Sequence, residues 1–125
     1  MVDLRTVRRI AMSLPEAEDE SGTDTVRFSV RGKAFAWTYL KRPEEGKARV
    51  PEPSVLAVRC VGAEKEAILA SAPTTYFTEP HYNGFPAVLV RLDVIDPDEL
   101  RELLTDAWRC QAPKKLARAL DEAAQ

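Results

Sequence analysis

The residues best suited to chemistry lie in a short loop around the single histidine of the chain. His81 stands between Pro80 and Tyr82, just before the turn pair Asn83-Gly84. An imidazole can act as an acid, a base or a ligand near neutral pH. The sequence therefore predicts a ligand pocket formed by His81, Tyr82 and Asn83. The alternative is that the loop histidine only bonds backbone groups or faces solvent.

No catalytic or cofactor motif accompanies this loop. One histidine cannot build a multi-histidine metal site, and the chain has no phosphate-binding loop or dinucleotide fingerprint. The two cysteines, Cys60 and Cys110, lack the spacing of a metal or disulfide framework. An acidic stretch, residues 16–24, contains five carboxylates, but clustered acids in a loop are usually solvated. We expect a non-enzymatic protein with no cofactor and no metal.

A basic stretch, residues 25–43, is the clearest candidate for binding a macromolecule. It contains no acidic residue, although the whole chain carries a net charge of −2. Arginine and lysine on a β-hairpin can lie along a phosphate backbone and release counterions. We therefore predict DNA binding through this stretch, at Arg27, Arg31, Lys33, Lys41 and Arg42. The alternative is that these charges protect an exposed sheet edge.

The same stretch has the pattern of a β-hairpin. Apolar residues alternate on both sides of Arg31-Gly32, the predicted two-residue turn. This turn pairs Phe28 with Phe35 and Val26 with Trp37, which places the large apolar side chains on one face. The opposite face then carries Arg27, Ser29, Ala34, Ala36 and Thr38. We expect this open face to be solvated or to bind a protein partner or small ligand.

The remaining elements define the fold class. A helix ends at Pro15, strands cover residues 54–60 and 85–93, and a short helix covers residues 62–72. Asp96-Pro97 is typical of a helix start, and another helix follows at residues 114–124. The sequence therefore predicts an α+β, two-layer fold, a single antiparallel sheet with helices packed on one face.

Length and hydropathy set the remaining expectations. A chain of 125 residues is the size of one domain, so we assign residues 1–125 to a single unit. No apolar run approaches the roughly 20 residues that span a bilayer, and no signal peptide is visible. We expect a cytoplasmic protein that does not bind membranes.

Several short motifs resemble those of the MmcQ/YjbR family. They are Leu14-Pro15, residues 32–36 (GKAFA), and residues 77–84 (FTEPHYNG) followed by residues 88–92 (VLVRL). The resemblance implies a compact α+β domain similar in shape to the frataxin-like bacterial protein CyaY. Members of this uncharacterised family are commonly labelled DNA-binding, so the resemblance also implies a binding module. It implies no catalytic residues.

Overall fold

The computed structural model describes residues 2–41 and 46–123, so the predicted DNA contact Arg42 lies outside the described residues. In chain order the elements are α1 (Leu4–Met12), β1 (Ala17–Asp19), β2 (Arg27–Val30), β3 (Lys33–Lys41), β4 (Val50–Arg59), α2 (Gly62–Ser71), β5 (Tyr76–Phe77), a 3₁₀ turn (Pro80–Tyr82), β6 (Ala87–Arg91), α3 (Pro97–Gln111) and α4 (Lys114–Ala123).

The strands form one six-stranded antiparallel sheet in the order β1-β2-β3-β4-β6-β5. All four helices contribute apolar side chains to the same main core on one side of this sheet, for example Ile10, Ile68, Trp108 and Leu120. Burying the apolar stripe of each helix against one sheet face gives two layers. The predicted α+β class, with helices on one face, is confirmed.

Local capping explains where two helices begin. The Asp3 carboxylate accepts a hydrogen bond from the backbone N–H of Thr6 at 2.8 Å at the start of α1. The predicted start of α3 is confirmed, because Asp96 accepts from the N–H groups of Asp98 and Glu99 at 3.0 and 3.3 Å. Such caps satisfy N–H groups that have no partner inside the helix.

The predicted hairpin turn is also confirmed. Val30 pairs with Lys33, so Arg31 and Gly32 are the two loop residues. Their φ angles are +50° and +81°, the two positive values of a type I′ turn. Glycine adopts a positive φ without steric cost, whereas the same conformation is strained for an arginine such as Arg31.

Beyond the turn, a β-bulge changes the register. Ser29 pairs with Ala34, but Phe28 pairs with Ala36, which leaves Phe35 as an extra residue in β3. The predicted pair of Phe28 with Phe35 is therefore wrong. So is the pair of Val26 with Trp37, which lies opposite Arg27.

The bulge moves two aromatic side chains to the other side of the sheet. A shift of one residue reverses the face of every side chain that follows it. Phe35 and Ala36 both belong to the main core, whereas Trp37 and Tyr39 pack against a second cluster. The prediction that all large apolar residues share one face is wrong.

The open face, the side of the sheet away from the helices, therefore differs from the predicted one. Ala36 lies in the main core, and Thr38 is buried and pairs with the core residue Leu56. The second cluster occupies the open face instead, with Trp37, Tyr39, Val55, Ala57, Phe77, Tyr82, Ala87 and Leu89. This face is aromatic rather than small and polar.

Two boundaries also differ from the predicted elements. The acidic stretch is not wholly irregular, because Ala17–Asp19 forms β1 and pairs with β2. Strand β4 begins at Val50 rather than at residue 54, through pairing of Val50 and Pro51 with Lys41 and Leu40. In both cases the backbone of a neighbouring strand supplies hydrogen bonds that override weak local strand propensity.

Candidate functional site

Four aromatic rings line a cleft of about 180 Å³ on the open face: Trp37, His81, Tyr82 and Phe85. We call this group the aromatic cleft. Trp37 comes from β3, and the other three residues come from the segment that contains the 3₁₀ turn. The bulge at Phe35 is what turns Trp37 towards this side of the sheet.

The rings of the aromatic cleft stand nearly at right angles to one another. Trp37 and Phe85 have centroids 6.3 Å apart and planes at 81°, and Tyr82 and Phe85 are 5.9 Å apart at 86°. His81 lies 5.4 Å from Tyr82 at 78°. The Trp37 Nε1–H donates to the Tyr82 hydroxyl at 3.1 Å, and this hydrogen bond holds the two rings in place relative to each other. The cleft therefore offers both ring faces and ring edges to a ligand.

Further rings extend this surface along the sheet. Tyr39 contacts Tyr82 at 5.9 Å and Phe77 at 6.5 Å between centroids. Burial, followed by the nearby Glu79 carboxylate, raises the pKa of Tyr39. Its hydroxyl therefore stays protonated at physiological pH and remains a hydrogen-bond donor.

Two arginines sit over the rings at the border of the open face. The guanidinium of Arg59 lies 5.2 Å from the centroid of Phe85, and that of Arg91 lies 4.1 Å from Phe77. Such contacts hold a cation against a ring. Neither arginine forms an ion pair within the described part of the chain. Their positive charge is therefore available to an anionic ligand.

A buried lysine on α2 holds the wall of the aromatic cleft in place. The ammonium of Lys65 donates to the carbonyl oxygens of Tyr82 and Phe85 at 2.5 and 2.7 Å. Sequence reasoning missed Lys65, because a lysine in the first turns of a helix normally faces solvent. Its partners lie 17 and 20 residues away, so no local pattern signals the contact.

The structure separates the three predicted pocket residues. His81 and Tyr82 line the aromatic cleft, and His81 is exposed while Tyr82 is buried. Asn83 instead lines a second cavity, on the side of the segment that faces α2. Whether these residues bind a ligand stays a prediction.

Three of the predicted DNA contacts form ion pairs with carboxylates. Arg31 donates two hydrogen bonds to Glu16, at 2.6 and 3.0 Å. Lys41 lies 2.7 Å from Glu52, and Arg27 lies 3.7 Å from Glu20. Lys33 is exposed. These pairs offset much of the positive charge that the hairpin would present to phosphate.

Carboxylates of the acidic stretch, residues 16–24, also form ion pairs with arginines. Besides Glu16 and Glu20, Asp19 pairs with Arg8 at 2.9 Å. The hydrogen bond from Arg31 lowers the pKa of Glu16, and that from Ser21 lowers the pKa of Asp19. Across residues 2–41 and 46–123, no cluster of three or more histidine, cysteine, aspartate or glutamate side chains could hold a metal ion.

Both cysteines are free thiols. Cys60 is buried and Cys110 is exposed. Burial raises the pKa of the Cys60 thiol to about 11, so the group is neutral at physiological pH. This thiol is not suited to act as a nucleophile.

None of the helices in the described segments is both long and apolar enough to cross a membrane.

Comparison with solved structures supports the fold. The crystal structure of protein DR2400 from Deinococcus radiodurans, which contains a DUF419 domain, matches with a TM-score of 0.68. The match covers 98% of this chain and 88% of that one at 19% sequence identity. At this identity the likeness concerns the fold alone.

Comparison with sequences identifies the family. The uncharacterised proteins Mb2600 of Mycobacterium bovis and Rv2570 of Mycobacterium tuberculosis are each 39% identical over 121 residues. Each alignment covers 90% of this chain and 91% of the relative. The family model YjbR matches residues 12–110, a range that includes the sheet, the aromatic cleft and Lys65. The chain thus belongs to the YjbR family.

Proposed function

We propose that this chain is a non-enzymatic binding module whose open sheet face binds single-stranded nucleic acid, with DNA as the first candidate. One observation carries the proposal: four aromatic rings line a cleft beside Arg59, on the face that the helices leave uncovered. Stacking surfaces next to cations are the usual means of binding single strands.

The aromatic cleft suits a nucleobase. A base has a planar π-face that can stack on Trp37 or Phe85, and the perpendicular neighbouring ring then contacts its edge. The exposed His81 imidazole can exchange a hydrogen bond with a polar base edge. Each stacked base contributes about 1–3 kcal/mol by the usual alanine measure.

The charges around the cleft suit a phosphate backbone. Arg59 and Arg91 lie on the open face beside Phe85 and Phe77, and no carboxylate of the described chain pairs with either arginine. The net charge of −2 gives no general attraction to nucleic acid, so this local charge would have to direct the strand. A single strand exposes its bases to a flat sheet face, whereas a duplex does not.

The basic hairpin is the less favoured location for the same function. Binding there requires Arg27, Arg31 and Lys41 to give up contacts with Glu20, Glu16 and Glu52. A protein partner or a small aromatic ligand is the alternative occupant of the open face.

Anisotropy of a fluorescent 12-nucleotide oligo(dT) tests the proposal at low salt. Phe85 is 40% exposed, so Phe85→Ala removes a cleft wall with little effect on folding. We expect this variant to weaken binding roughly 5- to 150-fold, the equivalent of one lost stack. The exposed Val94→Ala is the matched control and should leave binding unchanged.

Salt dependence separates the candidate surfaces. Arg59→Ala should reduce the slope of log affinity against log salt by about 0.7, the value for one phosphate on a single strand. Exposed Arg101 on α3 provides the control Arg101→Ala. If Arg31→Ala with Lys33→Ala abolishes binding and Phe85→Ala does not, the hairpin is the site. Absence of binding by the wild-type protein at low salt refutes the function.

A further inference from the structure

The second cavity lies between α2 and the segment that carries the aromatic cleft, and it measures about 310 Å³. Its lining includes Lys65, Glu66, Leu69, Asn83, Phe85 and Pro86. We propose that this cavity binds a small anionic molecule, with a carboxylate or phosphate head group at Lys65 and a short apolar body against Leu69, Phe85 and Pro86. The inference does not rest on nucleic-acid binding, since it concerns the side of the segment that faces α2, although Phe85 lines both the cavity and the aromatic cleft.

The charge of Lys65 is the main argument. The residue is only 8% exposed, and no carboxylate lies within ion-pair distance of its ammonium in the described structure. Burying a charge is costly unless an opposite charge or hydrogen bonds compensate. Two carbonyl groups compensate in part, and an anion in the cavity would complete the compensation.

The hydrogen-bonding capacity of Lys65 leaves room for a ligand. An ammonium group has three donors, and the carbonyl oxygens of Tyr82 and Phe85 accept from it at 2.5 and 2.7 Å. The third donor is therefore available on a residue that lines the cavity. A charge-assisted hydrogen bond to an anion is stronger than one between neutral groups.

The remaining lining restricts the type of molecule. Leu69, Phe85 and Pro86 provide an apolar wall, and the Asn83 side chain adds a polar group near Thr78, at 3.3 Å from its hydroxyl. Glu66 also lines the cavity, but it is exposed, so solvent screens its charge more than that of Lys65. A volume of this size accommodates a small metabolite-sized molecule rather than a polymer.

A titration followed by amide NMR shifts tests the inference with three probes of four carbons each, which differ in the head group: butyrate, butanol and butylamine. We expect butyrate to shift the amides of residues 62–65 and 83–86, and to bind at least 10-fold more tightly than butanol or butylamine. Inorganic phosphate, which lacks the apolar body, separates the two head groups: shifts of the same amides indicate that the anion alone suffices. A response to butyrate but not to phosphate indicates a carboxylate ligand.

Variants show whether Lys65 is responsible. Lys65→Met should reduce butyrate affinity by about 10- to 100-fold, the range for a hydrogen bond to a charged group. Lys65→Arg retains the charge and should restore part of the affinity, and exposed Lys114 at the start of α4 provides the control Lys114→Met. Equal binding of butyrate and butanol, or unchanged affinity in Lys65→Met, would refute the anion site. If Lys65→Met does not fold, the wild-type probe comparison still decides.

Discussion

At the scale of single residues, the contact of Lys41 with Glu52 lowers the pKa of that carboxyl group. The Lys41 ammonium donates to Glu52 at 2.7 Å, and the Ser54 hydroxyl donates to the same carboxylate at 2.8 Å. These bonds, with that from Lys41 the largest, lower the pKa of Glu52 from 4.5 to about 2. A lowered pKa in the folded state means that the ionised form stabilises the fold.

The pH dependence of stability follows from the lowered pKa of Glu52 in the folded state. The contribution of Glu52 is complete above about pH 4.5 and is lost as the pH falls towards 2. Glu52→Gln should therefore lower the free energy of unfolding by about 0.5 kcal/mol at pH 7, the size typical of an exposed pair. Urea unfolding at several pH values should show this difference shrinking between pH 5 and pH 2. The exposed strand residue Glu18 provides the control Glu18→Gln. A difference that does not change with pH would show that Glu52 acts by packing alone.

At the scale of elements, β3 illustrates what a sequence can and cannot predict. The turn at Arg31-Gly32 and the start of α3 at Asp96-Pro97 depend on residues adjacent in sequence, so local patterns predict them. The bulge at Phe35 depends on which residues of β2 lie opposite, and alternation alone cannot reveal it. For that reason the aromatic character of the open face was not predictable.

The residues of the candidate site also fall into those that local sequence reveals and those that it does not. The sequence singles out His81 and Tyr82 because the chemistry of a loop histidine is visible there, and both residues line the aromatic cleft. The sequence does not reveal Trp37 and Lys65, because each reaches the site through contacts with distant parts of the chain. Phe85 is missed because the sequence pattern assigns it to the strand 85–93, whereas β6 begins at Ala87. Likewise, the pairing of Arg31 with Glu16 requires β1 to fold against β2.

The hairpin turn permits a direct test of backbone conformation. Gly32 has a φ of +81°, and an added Cβ would meet no atom within 4 Å. Gly32→Ala should therefore destabilise the protein through backbone strain alone, by about 1–2 kcal/mol. Gly62, at the start of α2, is the matched control, because its Cβ position is equally open and its φ is not positive.

We expect Gly62→Ala to be neutral or slightly stabilising, since alanine reduces the entropy of the unfolded chain. Denaturant unfolding of both variants measures the difference. Equal effects at the two positions would contradict the assigned turn conformation.

At the scale of the whole molecule, the two sides of the sheet differ in how deeply their side chains are buried. The main core on the helix side contains the largest fully buried side chains, among them Trp108, Phe28 and Phe35. The open side carries the aromatic cleft, and several aromatic rings on this side are only partly buried. The outer strands β1 and β5 have only three and two residues. Short outer strands limit pairing with other molecules at the sheet edges, so the open face is the larger surface left for binding.

The hydrogen bond between Trp37 and Tyr82 joins residues 45 positions apart, so the aromatic cleft exists only when β3 packs against the segment with the 3₁₀ turn. Thermodynamic linkage then makes any occupant of the cleft a stabiliser of the whole fold. At a concentration one hundred times its dissociation constant, oligo(dT) should add about 2.7 kcal/mol and raise the melting temperature by roughly 10 °C. Phe85→Ala should melt near the wild-type temperature alone and show a smaller rise, equivalent to about 0.3–1.8 kcal/mol at the same oligo(dT) concentration if its affinity falls by roughly 5- to 150-fold. Differential scanning fluorimetry can thus search for ligands of the cleft whatever their chemical class.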